Sequence, residues 1–181
     1  MRPCGGLVYR GALWQACVMW RRFLGSKALK QKVMSKGFYA VGVYRPKTEV
    51  NIGTLWRTAN ILGASLIFTV GVRYRKQSSD VLHTPKDIPL MHFDDVEDLV
   101  RHLPHGCRLI GVELEERARM SHEYGHPDQG CYLLGAEDNG LPKKVIEQCH
   151  SLIKLPGERS LNVAVAGSLV MYDRWRYFAA T

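Results

Sequence analysis

Three short polar stretches carry the residues best suited to chemistry. The first, NIGTLWRTANILGA, places Asn51 and Arg57 at the start of an expected helix. The second, GAEDNG, carries Glu137 between Gly135 and Gly140. The third, LPGERSLNV, carries Ser160 and Asn162. Amide, guanidinium, carboxylate and hydroxyl groups together can bind and orient a polar ligand, but these types do not choose the ligand. Each stretch also has a plain structural reading. Asn51 and Ser160 are competent helix N-caps, because a side-chain oxygen there accepts a backbone N–H that has no partner in the helix. Arg57 reads equally as a solvated or ion-paired cation, and GAEDNG as an Asn-Gly turn with surface acids. What caps and turns leave unexplained is that all three fall, in order, at the ends of expected strands.

The elements that position them follow from apolar patterning. Continuous apolar runs predict strands over Phe38–Tyr44, Ser65–Val70, Arg108–Leu114, Cys131–Gly135 and Ser151–Leu155. Helical spacing of Ile52, Leu55, Trp56, Ala59 and Leu62 predicts a helix from Asn51 to Leu62, closed by Gly63. Further helices are expected over Asp94–Leu103, from Pro142 to about His150, and after Ser160. The last contains Ala164, Ala166, Gly167 and Ser168, small residues that let a backbone or ligand approach closely. From Gly71 to Leu90 the chain is polar and irregular. Alternating strands and helices predict an α/β fold, a mostly parallel sheet flanked by helices. In such sheets ligands bind beyond the carboxyl ends of the strands, where the three turns lie.

Composition bounds the rest. A chain of 181 residues suffices for one domain with a real core. Its net charge of +8 is unevenly placed. Eight of the 25 basic residues lie within the first 37 positions, where there is no Asp or Glu, leaving 17 basic against 17 acidic. The excess therefore belongs to a basic N-terminal extension, residues 1–36, and not to the body, residues 37–181. Only local patches of the body can recruit a polyanion. The apolar run GALWQACVMW in the extension is too short to span a membrane. Its arginine flanks resemble those of a signal sequence, without an A-x-A-like cleavage site. The extension reads as a stretch upstream of a start at Met34, as a basic arm, or as a targeting segment. Five cysteines without C-x-x-C spacing read as thiols of a reducing compartment, so a cytoplasmic location is expected.

Several chemistries lose support. Neither G-x-G-x-x-G nor G-x-x-x-x-G-K-[ST] occurs, and G-x-S-x-G is absent. The seven histidines show no metal-ligand spacing, so no metal is expected. His122 and His126, four residues apart in a Gly/Pro-rich connection, read as a surface pair.

The three stretches together resemble the motifs of the SpoU, or TrmH-like, branch of the SPOUT RNA methyltransferases. N-x-G-x-x-x-R-x-x-x-x-x-G is matched by Asn51, Gly53, Arg57 and Gly63. G-x-E-x-x-G-L-P is matched by Gly135, Glu137, Gly140, Leu141 and Pro142. A hydrophobic-Pro pair followed by S-L-N-V and a small-residue helix is matched by Leu155, Pro156, Ser160, Leu161, Asn162, Val163, Ala166 and Tyr172. The departures are mild: Ala164 where Ser is frequent and Asp173 where Glu is frequent. The resemblance covers residues 38–178 and leaves the extension aside.

It implies a C-terminal trefoil knot holding S-adenosylmethionine, bound largely by backbone groups at Val112, Gly135, Leu155, Ser160 and Leu161. It implies methyl transfer to an RNA ribose 2′-hydroxyl, with tRNA favoured over rRNA. A non-catalytic RNA-binding protein of the same fold is the alternative. Arg57 takes the place of the family's catalytic arginine. An arginine effectively stays protonated, which favours phosphate binding and stabilisation of a developing alkoxide over a general-base role. Glu137 is expected to orient Arg57 through a bidentate pair, Asn51 to place Arg57 or the phosphate, and Ser160 and Asn162 to fix the loop and ribose. RNA contacts are expected from Arg45, Lys47 and Arg159, and from Arg73, Tyr74, Arg75 and Lys76, where the aromatic ring can stack on a base. That cluster also reads as a solvated loop. A homodimer packed through the C-terminal helix is implied.

Overall fold

The computed structural model describes residues 37–74 and 88–180. Within them seven strands form one sheet: β1 (Tyr39–Tyr44), β2 (Leu66–Val70), β3 (Leu90–Phe93), β4 (Arg108–Val112), β5 (Arg119–Met120), β6 (Gly130–Leu134) and β7 (Ser151–Lys154). Their order is β3-β2-β1-β6-β4-β7-β5, and every pairing is parallel. The helices are α1 (Glu49–Leu62), α2 (Val96–His102), α3 (Lys143–Ile146) and α4 (Val163–Ala179). A 3-10 turn covers Ser121–Glu123.

The sheet is buried on both faces, which is why its strands read as continuous apolar runs. Successive residues of each strand feed different cores. Val41, Ile110, Val112, Tyr132 and Leu134 pack with residues of α1 and α4. Ala40, Leu109, Cys131 and Leu133 pack on the other face with α2 and α3. Burial pushes the thiols of Cys107 and Cys149 up to about 11, and that of Cys131 upward too.

Four local expectations change. Helix α1 begins two residues early, at Glu49, with Thr48 at the cap position. Asn51 is therefore inside the first turn and is not the cap. Helix α4 is capped by Asn162, whose side chain accepts from the N–H groups of Ala164 and Val165, and not by Ser160. Helix α3 is a single turn, because the chain must turn back within four residues to bond His150 N–H to Leu109 O and start β7. Strand β3 starts at the last residue of the stretch expected to be irregular and continues through three residues for which no element was expected. It is an edge strand, pairing on one side only, so its apolar signal is weak.

Helix α4 lies against α1 across a small-residue contact. A Cβ added to Gly167 would stand 2.3 Å from Leu55 Cδ1. Beside it, the Ser168 hydroxyl donates to Thr58 Oγ1 at 3.2 Å. The far end of α4 is held by a buried polar network. The Arg174 guanidinium, 1% exposed, donates to the carbonyls of Pro127 (2.5 Å) and Asp128 (3.0 Å). It also lies over the rings of Tyr39 and Phe178. His126 bridges Tyr132 Oη (2.6 Å) and Asp173 Oδ2 (3.3 Å). His126 is thus a core residue and only His122 is exposed, which corrects the surface reading of the pair. Burial outweighs the Asp173 carboxylate and holds the His126 imidazole below its ordinary value.

Candidate active site

The three polar stretches meet at the C-terminal ends of β1, β6 and β7. Their side chains form a directed chain of hydrogen bonds. The Asn51 amide nitrogen donates to Glu137 Oε1. Asn51 Oδ1 accepts from Asn162 Nδ2 at 3.1 Å. Asn162 Oδ1 in turn accepts from the Ala164 N–H at 2.9 Å, at the start of α4. The other Glu137 oxygen accepts from Thr48 Oγ1 at 3.0 Å. Because one end is a carboxylate and the other a backbone N–H, the orientation of both amides is set. Extending α1 back to Glu49 is what turns Asn51 toward Glu137 and away from the capping role.

A cleft opens beside this chain. Its walls include all five residues assigned to a cofactor: Val112, Gly135, Leu155, Ser160 and Leu161. Two features suit it to a ligand held by backbone groups. Gly135 and Gly140 face each other so closely that a Cβ on Gly135 would lie 2.5 Å from the Gly140 carbonyl carbon. The turn is closed by paired backbone bonds between Ala136 and Gly140, with Gly140 at φ 58°. Opposite, the exposed loop from Pro156 to Leu161 makes no hydrogen bond to other described residues, so its backbone groups are free for a ligand. The donor set fits a cofactor recognised through its polar edges.

Two contributors escaped the sequence reading. Glu113 follows β4, and its Oε2 accepts the Leu141 N–H at 2.6 Å while Oε1 accepts the Leu114 N–H at 3.1 Å. It thereby ties the 136–140 turn to the end of β4 and forms part of the cleft wall. Thr48 braces Glu137. Glu113 falls inside the strand expected over Arg108–Leu114, and the only signal for Thr48 is a polar residue ahead of a helix.

The remaining assignments divide. Arg57 is exposed and makes no hydrogen bond or ion pair among the described residues; Glu137 holds Asn51 and Thr48 in its stead. The expected Glu137–Arg57 pair is therefore replaced. Arg57 lies six residues beyond Asn51, about 9 Å along α1. Lys47 is taken by an ion pair with Asp138 that latches the β1–α1 connection to the 136–140 turn. Arg45 and Arg159 are exposed at this end of the sheet, and Arg159 borders the cleft. Arg73 is exposed. Tyr74 is half-buried with its ring edge-on to Trp56 at 6.2 Å, so it is packing and not a free stacking platform. Arg75 and Lys76 lie outside the described residues. No group of three His, Cys, Asp or Glu among the described residues could hold a metal ion. Nor does any helix among them have the length and apolarity to cross a membrane.

Residues 39–172 match the sequence model of the SpoU rRNA Methylase family. The chain belongs to that family. Among similar proteins is the mouse tRNA (guanosine(18)-2'-O)-methyltransferase TARBP1, 29% identical over 137 residues. That match takes 70% of this chain but spans only 8% of the mouse protein. The tRNA (cytidine(34)-2'-O)-methyltransferase of Ancylobacter novellus is 31% identical over 148 residues, 76% of this chain and 91% of the relative. The fold agrees with the SpoU methyltransferase AviRb of Streptomyces viridochromogenes in complex with AdoMet. The TM-score is 0.70 at 20% identity, over 83% of this chain and 62% of that one. The matched span contains all three stretches that the Glu137–Asn51–Asn162 chain ties together.

Proposed function

We propose that this SpoU-family chain is an S-adenosylmethionine-dependent RNA methyltransferase acting on a ribose 2′-hydroxyl, with tRNA favoured over rRNA. The observation that carries the proposal is the hydrogen-bonded joining of Glu137, Asn51 and Asn162 beside a cleft edged by an unbonded loop. The two tRNA 2'-O-methyltransferases to which the chain is similar, and the AdoMet-bound neighbour, support the substrate and the cofactor.

Val112, Gly135, Leu155, Ser160 and Leu161 would hold the cofactor, which supplies a methyl group already activated on a sulfonium. What remains for the protein is to align the hydroxyl with that methyl and to ease proton loss. Arg57 serves as phosphate anchor and electrostatic stabiliser, since a guanidinium holds its proton. Asn51 and Glu137 fix the edge of the cleft, and Asn162 ties that edge to α4.

Arg57 does not line the cleft, which makes a homodimer part of the proposal. Exposed apolar side chains occur on both helices that pack together here: Val50 and Ile61 at helical spacing from Arg57 on α1, and Leu161, Val165, Leu169 and Tyr172 at and along α4. Isolated exposed apolar residues are ordinary, but this set follows helical spacing along one face of α4. A second copy packed there would cover the stripe and bring its own cleft to Arg57. The knotted path of the C-terminal segment, the division into a 1–36 extension and a catalytic body, and a cytoplasmic location complete the proposal. The three buried or half-buried thiols, none of them in a disulfide, support the last point.

Calorimetry with S-adenosylmethionine and mapping of 2′-O-methylation in RNA from cells with and without the protein test the reading. The expected result is cofactor binding and loss of one tRNA methylation. Folded protein that binds RNA but no cofactor would establish the non-catalytic alternative, and loss confined to ribosomal RNA would replace the substrate.

A further inference from the structure

A second cavity runs from the start of β4 and β7 along the β5 edge of the sheet. It measures about 590 Å³, within the range of ligand sites, and its walls include Arg108, Arg117, Arg119, Tyr124 and His150. The guanidinium groups of Arg108 and Arg119 make no hydrogen bond or ion pair among the described residues. Arg117 is held loosely, its Nε 3.3 Å from Glu115. His150 Nδ1 accepts the Leu109 N–H at 3.1 Å, so in the neutral ring the proton sits on Nε2, which becomes a donor. The wall thus offers three cationic forks and one N–H donor; among the described residues its lining includes no carboxylate, and the neighbouring Glu115 carboxylate is paired with Arg117 alone. In a body whose formal charges cancel, this is a concentrated positive site.

We infer that this cavity is a second RNA-binding site, which takes phosphodiester groups of the substrate remote from the methylated ribose. The inference rests on the RNA reading proposed above. Planar guanidinium forks match phosphate oxygens bidentately and are weakly hydrated, so they bind phosphates where a metal cation would be repelled. The Arg108 pole lies the length of β4, five residues or about 17 Å, from the cleft pole at Val112, and Arg119, paired with Ile153 at the level of Val112, stands to the side of the cleft along the β5 edge. A structured RNA spans that distance easily, whereas a small anion would occupy only one pole. The site contributes anchorage and no chemistry.

The test uses the double variant Arg108→Ala/Arg119→Ala and the control Arg101→Ala, an exposed arginine already paired with Asp98. Binding of unfractionated tRNA is followed by fluorescence anisotropy from 50 to 300 mM salt. Losing two phosphate contacts is expected to flatten the slope of log K against log salt by about 1.4 to 1.8. The double variant should weaken binding about tenfold near 0.1 M salt and raise KM for tRNA with kcat retained. Cofactor affinity and thermal midpoint should stay unchanged, and the control should keep the wild-type slope. An unchanged slope in the double variant overturns the inference. So does binding of AMP to the wild type that the variant loses while its RNA slope is kept, which would make the cavity a nucleotide site. If the wild type binds neither tRNA nor ribosomal RNA, the functional reading itself falls.

Discussion

Two polar networks hold α4, one at each end, and they spend their hydrogen bonds differently. At its start, Glu137, Asn51 and Asn162 are half-buried or exposed, and they bond one another beside a loop that bonds nothing else described. At its far end, Arg174, Asp173, His126 and Tyr132 are buried among rings and carbonyls. The first network presets a surface; the second fastens a helix. The difference teaches that burial decides whether a polar cluster serves binding or architecture. A desolvated charge must be satisfied internally, while a half-exposed one can still exchange partners with a ligand.

Breaking the buried network should cost most. Arg174→Met leaves the Pro127 and Asp128 carbonyls and the Tyr132 hydroxyl without their guanidinium donor. Buried acceptors left unsatisfied cost about 1–3 kcal/mol each, so the free energy of unfolding is expected to fall by about 3–5 kcal/mol, read from urea titration. The same network has a pH signature. The His126 imidazole is held below its ordinary value, so the folded protein binds fewer protons than the unfolded chain. The stability this provides is complete above about pH 6.5 and is lost as pH falls from there through the depressed value. Thermal midpoints should drop between pH 7 and pH 5 in wild type, and the drop should shrink in His126→Gln.

At the other end, activity should fail before stability. Arg57→Ala is expected to reduce kcat on the order of 100-fold to 1,000-fold with an unchanged thermal midpoint. Retained turnover in a folded, cofactor-binding Arg57→Lys would exclude both the base and the bidentate role. Asn162→Ala removes a cap and the partner of Asn51. It should cost about 1 kcal/mol of stability and also weaken cofactor binding in calorimetry. Lys47→Ala breaks only an exposed pair with Asp138 and should change stability by less than about 1 kcal/mol. Equal stability losses in Asn162→Ala and Arg174→Met would erase the distinction between the networks.

Legibility in the sequence followed the same division. Strands buried on both faces are continuous apolar runs, so β1, β2, β4, β6 and β7 were readable within a residue or two. Edge strands β3 and β5 were not, because a half-paired strand needs less apolar sequence. The three site stretches were visible as motifs, but the wiring among them was not. Asn51 looks like a cap until α1 is seen to start at Glu49, and Glu137 looks like a partner for Arg57 until Asn51 is found in that place. Glu113 carried no signal, because it fell inside the expected Arg108–Leu114 strand. The N-terminal arginines of β4 and β5, and Arg117, are dispersed over twelve positions and form a patch only once β7 brings their strands together.

The chain order of apolar runs and breakers by itself determined a parallel α/β body and the three turns at its strand ends, because periodicity and turn chemistry are local properties. Only the tertiary structure decided which turn residues bond, that Tyr74 is spent on Trp56, that His126 and Arg174 are core residues, and that arginines of two strands separated by β7 share one cavity. Those outcomes depend on strand order and burial, which set distances and dielectric between residues as much as 111 positions apart.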